Sequence, residues 1–221
     1  MATTSTGAGA SRADRGTWPL EWLQLNARLL GAGAAVLAVA GAGYWFYIRS
    51  RQIRAVNAER SLFTAQQSLA SGNTALAISD LQKVVSRYEG TGSGTEAALL
   101  LGTTYFNQGK FQDGINQLQK VAGKAGGSDA AVYGLIGDGY SQLGKLTDAA
   151  KAYEQAGAAG RFDNEKAYFR AKAARSWAAA GKVAEARKLW GDLAGNPKAS
   201  AVAAEARVRL AELDAKPAGK S

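Results

Sequence analysis

One spacing recurs along most of this chain and leaves few folds open. Four copies of a pattern return every 35–37 residues: TAQQSLASGNTALAISDLQKV from Thr64 to Val84, LGTTYFNQGKFQDGINQLQKV from Leu101, IGDGYSQLGKLTDAAKAYEQA from Ile136, and AARSWAAAGKVAEARKLWGDL from Ala173. Each copy sets a small residue (Ala65, Gly102, Gly137, Ala174) seven positions before a glycine (Gly72, Gly109, Gly144, Gly181). A second small residue follows that glycine (Ala77, Gly114, Ala149, Ala186), and then a large apolar one (Leu81, Leu118, Tyr153, Trp190). Small residues let two helices approach closely, the glycine permits the positive φ that ends the first of them, and the large residue fills the space between repeats. A period of this length predicts helix pairs stacked as a solenoid, since one pair cannot bury its apolar face alone.

This spacing resembles the tetratricopeptide repeat over roughly residues 60–195. The expected fold is therefore all-α: a tetratricopeptide-repeat-like solenoid of about four helix pairs plus a capping helix, over residues 52–214. Glycine-rich breaks separate the copies, at Glu89–Gly94, Gly123–Ser128, Gly157–Gly160 and Gly195-Asn196-Pro197. A last helix, Ala199 to Leu213, has no following partner and reads as the cap that shields the final apolar face. Residues 215–221 form a frayed tail.

Before the repeats, Leu29 to Ile48 run twenty residues without a charge. As a helix this stretch spans about 30 Å, the thickness of a bilayer's hydrocarbon core. Arg28 bounds one end, Arg49, Arg51 and Arg54 the other, and Tyr44, Trp45 and Tyr47 stand where aromatic rings prefer the headgroup region. Residues 29–48 are read as one transmembrane helix, residues 18–28 as an interfacial lead-in and residues 1–17 as a disordered tail. A cleavable signal peptide is the competing reading, since Ala38-Val39-Ala40 mimics a cleavage site. The charged leader and the bulky run Tyr44–Ile48 beyond that site favour the anchor. Small residues four apart (Ala34, Ala38, Ala42) would let two such helices meet, so a homo-oligomer is left open.

The chain has no Cys and no His, which removes disulfides, thiolate sites, the usual general base and the commonest transition-metal ligand. No catalytic, cofactor or metal residues are assigned, and the chain is read as a non-enzyme. Gly139 to Lys145 resembles the start of a phosphate loop, but Leu146 stands where a hydroxyl should hold magnesium. Gly-Lys recurs in the same turn at Gly109-Lys110 and Gly181-Lys182, so the repeat itself accounts for it. The net charge of +9 lies in residues 1–60 and in the last third, where Lys166, Arg170, Arg175, Arg187 and Lys188 cluster. Such charge suits a solvated helix face or an anionic ligand; no nucleic-acid-reading module accompanies it. Tyr105, Phe111, Tyr140, Tyr153, Trp177 and Trp190 fall at packing positions.

A partner-binding groove is expected on the first helix of each repeat. By register its residues are Leu62, Gln66, Leu69, Leu99, Thr103, Phe106, Asn107, Asp138, Gln142, Tyr168 and Arg175. The mixture suits a peptide docked through apolar anchors with polar contacts beside them. It lacks the Lys, Arg and Asn set that clamps a C-terminal carboxylate.

The aromatic-flanked anchor, with Glu21-Trp22-Leu23 and Asn26 before it and Gly43-Tyr44-Trp45-Phe46-Tyr47 at its exit, opens directly into the repeats. In this the chain resembles the YfgM-like ancillary subunit of the bacterial Sec translocon. The resemblance implies a single-pass protein of the inner membrane with a periplasmic repeat domain. Its implied partners are translocon subunits, periplasmic chaperones or secretory clients. The alternative is a scaffold organising another envelope complex, for cell division or outer-membrane assembly. Basic residues argue weakly for the opposite topology: Arg12, Arg15 and Arg28 precede the span, and Arg49, Arg51, Arg54 and Arg60 follow it.

Overall fold

The computed structural model describes residues 26–215. The expected disordered tail, most of the interfacial lead-in and the last residues of the frayed tail lie outside them. Among the described residues all regular structure is helical: α1 (Ala27–Ala70), α2 (Thr74–Arg87), α3 (Gly92–Asn107), α4 (Phe111–Gln119), α5 (Asp129–Gln142), α6 (Leu146–Ala159), α7 (Asp163–Ala179), α8 (Val183–Gly195) and α9 (Ser200–Ala215). Short 3₁₀ turns, Gly126–Ser128 and Pro197–Ala199, precede α5 and α9. The chain divides into two compact units, up to Gln52 and from Ile53.

In the first unit α1 carries the apolar run with its side chains outward; Leu29, Leu37, Val39, Trp45 and Phe46 are all exposed. The helix does not stop at Ile48. From Tyr44 to Ala70 there is neither Gly nor Pro, so nothing interrupts the backbone ladder before Gly72.

In the second unit the repeats pair as the spacing requires. The turn glycines Gly72, Gly109, Gly144 and Gly181 all take positive φ, between 70° and 78°. They turn the chain from α1 to α2, α3 to α4, α5 to α6 and α7 to α8; α9 follows as the cap, with no helix after it among the described residues. Both sets of small residues are buried, and so are Leu81, Leu118, Tyr153 and Trp190. The packing is close because side chains are missing: a Cβ on Gly102 would stand 2.8 Å from Leu118, and one on Gly137 2.5 Å from the Tyr153 ring. Leu62, Leu81, Leu101, Ile115, Leu118 and Val132 form the core of the early repeats. Trp177, Trp190 and Leu193 form that of the last, closed by Ala203 and Ala206 of α9.

Side chains fasten the ends. Asn73 caps α2 by accepting from Leu76 N, and Thr91 caps α3 by accepting from Gly94 N. At the far end Arg187 of α8 donates to Asp214 and to the Leu213 carbonyl, placing a cation at the C-terminus of α9.

Candidate functional site

The groove positions lie on the first helices α1, α3, α5 and α7, and the structure treats them unequally. Leu62 is only 4 % exposed and belongs to the core; Leu69 and Leu99 are half-buried against it. Phe106 is also half-buried, 5.8 Å from Phe111, with its ring tip where a Cβ on Gly139 would stand. Thr103 turns its hydroxyl back on the Leu99 and Leu100 carbonyls. Asn107 and Gln142 are exposed at the ends of α3 and α5, and Tyr168 and Arg175 are exposed on α7.

The polar positions are joined from one first helix to the next. Gln66 Nε2 of α1 donates to Glu96 Oε1 of α3 at 3.2 Å. Asp138 of α5 accepts from Lys172 Nζ of α7 and from the Tyr153 hydroxyl of α6. The Lys172 ammonium also lies 4.6 Å from the Tyr153 ring centroid and 5.6 Å from that of Tyr168. This box brings Asp138 and Tyr168 together through one cation. Burial, and then the bond it donates to Asp138, push the Tyr153 phenol well above its ordinary pKa. Arg175 of α7 makes a two-pronged bond to Glu205 of the cap, which raises the guanidinium and lowers the carboxylate.

Register alone missed Glu96, Lys172 and Glu205, the partners that engage Gln66, Asp138 and Arg175. A signal for two of them was present. Glu96 precedes Leu99 by three residues and Lys172 follows Tyr168 by four, so each shares a helix face with a residue already assigned.

Open clefts lie among the described residues, two of them of similar size. One, of about 740 Å³, lies between α1 and the first turns of α3, lined by Val56, Glu59, Arg60, Phe63, Gln66 and Glu96 among others. The other, of about 730 Å³, lies between the second helices α2 and α4, where Lys83 is paired with Asp80 and Lys124 with Glu89. Lys145, the lysine of the phosphate-loop-like stretch, donates to Gln112 Oε1 and lies over the Tyr140 ring, in the turn after α5. Among the described residues no group of three acidic, His or Cys side chains is placed to hold a metal.

No curated protein matches the chain. Two solved structures of nearly identical TPR-like repeats, from a Podosopora anserina chain designated a kinesin light chain, are similar at 18 % identity and a TM-score of 0.49. Each match covers 71 % of this chain and 89 % of that one. The family model for the tetratricopeptide repeat-like domain matches residues 21–136. That match spans more than half of the sequence, and the protein belongs to the tetratricopeptide repeat-like domain family.

Proposed function

We propose that this protein is a single-pass membrane adaptor: residues 29–48 hold it in the bacterial inner membrane, and its repeats bind other proteins in the periplasm. The repeat fold is typically a non-catalytic platform for protein–protein interaction. Helix α1 carries the membrane part of this reading. Its twenty uncharged residues present large apolar side chains outward, and such a surface is unstable in water unless lipid or protein covers it. The same helix runs on into the first repeat without a break. The resemblance of the anchor and its aromatic flanks to the YfgM-like translocon subunit supports the choice of partners: translocon subunits, chaperones or secretory clients.

Orientation is tested with a pair of C-terminal fusions, a phosphatase active only after export and a fluorescent protein that folds only in the cytoplasm. Phosphatase activity without fluorescence is expected; the reverse overturns both the periplasmic placement and the translocon assignment. Alkaline carbonate should leave the full chain in the membrane pellet, and its release would overturn the anchor. Crosslinking in native membranes, read by mass spectrometry, should recover translocon subunits. Recovery of cell-division or outer-membrane-assembly proteins instead would replace them as partners.

A further inference from the structure

The cleft between α1 and α3 contains side chains for which packing provides no use. Phe63 is 67 % exposed on α1, and Val56, two turns before it, is half exposed. Glu59, one turn before Phe63, makes no hydrogen bond or ion pair with any described residue. Across the cleft Glu96 accepts one bond, from Gln66, and its other oxygen has no partner among the described residues. The later polar positions of the first helices differ in this respect. Asp138 is paired with Lys172, and Arg175 with Glu205 of α9, so the charges of these positions are already neutralised. In a chain of net charge +9, this cleft carries two carboxylates against the single guanidinium of Arg60.

We infer that the α1–α3 cleft is the docking site of a partner segment that carries a large apolar side chain beside a lysine or arginine. The apolar group lies on Phe63 and Val56, and the cation sits between Glu59 and Glu96. Charge complementarity selects this occupant over an anionic lipid or a nucleic acid, which the two carboxylates repel. Covering a phenylalanine removes one large apolar surface from water, while the flanking charges decide which segments are accepted. This inference deepens the protein-binding reading above and rests on it.

The test uses the full chain in detergent micelles and a dye-labelled peptide, Ser-Gly-Lys-Phe-Lys-Gly-Ser, followed by fluorescence anisotropy with empty micelles subtracted. Saturable binding is expected, weaker at high salt and about tenfold weaker in the double variant Glu59→Gln, Glu96→Gln. Phe63→Ser should weaken it similarly, and Glu185→Lys, on the exposed face of α8, should leave it unchanged. Thermal melts of each variant separate lost binding from lost folding, and Glu96→Gln keeps an acceptor for Gln66. Equal binding of the peptide with glutamate in place of lysine would overturn the inference. So would binding indifferent to the Glu59, Glu96 and Phe63 changes, or no binding at all. Binding that responds instead to changes at Asn107 or Gln142 would refute this cleft while leaving the protein-binding reading intact.

Discussion

Gly114 of α4 packs against α3, where a Cβ would lie 2.4 Å from the Phe106 ring and 2.8 Å from the Gly102 carbonyl oxygen. The ring can shift, but the carbonyl belongs to a buried helix and cannot. Gly114→Ala should therefore destabilise the domain by about 2 kcal/mol, read from urea or thermal unfolding. Gly191, inside α8, meets nothing within 4 Å, so there an added methyl only restrains the unfolded chain. Gly191→Ala should stabilise by about 0.5–1 kcal/mol. Glu205 allows a further test, of pH dependence. Its carboxylate is held below the ordinary value by Arg175, so its contribution is complete above the ordinary glutamate range and is lost as pH falls through the lowered value. The stability gap between the native chain and Glu205→Gln, present at neutral pH, should close on acidification; a gap that persists would dismiss the ion pair as its source. At this scale the spacing foretold where small residues and turn glycines stand, because close packing admits few substitutes. It did not foretell which polar groups meet, since Gln66 finds Glu96 thirty positions away on a different helix.

Successive repeats are joined by one recurring bond between a second helix and the next first helix. Gln82 Nε2 of α2 donates to the Tyr105 hydroxyl of α3, and Gln119 Nε2 of α4 donates to the Tyr140 hydroxyl of α5. At the third joint the direction reverses, and the Trp177 indole of α7 donates to Glu154 of α6 at 2.8 Å. Trp177 is buried, so Glu154→Ala leaves its N–H without a partner and should cost about 1–3 kcal/mol. Glu154→Gln keeps an acceptor and should cost much less; equal losses in thermal melts would show that the indole bond is not what matters. The sequence marked these aromatics as packing residues, and Tyr153, Trp177 and Trp190 are indeed buried. Tyr105 and Tyr140 are half-buried with their hydroxyls engaged, a role invisible without knowing which helix follows which in space. The groove residues divide the same way. Leu62 is packed into the core and also lines the α1–α3 cleft, because the neighbouring helices decide how much of a side chain stays open.

At the scale of the whole chain, helix pairs and cap were legible because a period of 35–37 residues with glycine punctuation fits hardly any other architecture. The unbroken course of α1 through Ala70 was not, since charge and composition change near Arg49 while helix propensity does not. The cap permits a test of the solenoid as a unit. Ending the chain after Gly195 uncovers Trp190 and Leu193, each 1 % exposed in the intact protein, along with the core around Ala206. At about 25 cal/mol per Å² of apolar surface, the loss should amount to several kcal/mol, much of what holds a small domain folded. Thermal melting of the shortened chain unchanged from the full one would refute the capping role of α9.

The joints between repeats also bear on how such an array changes length by recombination. A glutamine or glutamate oxygen can accept from either a phenol or an indole, so the side chains at one joint satisfy those at any other. Duplicating or deleting a whole internal repeat would therefore leave the side chains at these joints partnered. The last repeat alone departs from this: Gly191 occupies the place of Gln82, Gln119 and Glu154, and thirty-six residues after Trp177 the cap presents Leu213, which needs no partner. The array is open to growth from within and sealed at its C-terminal end.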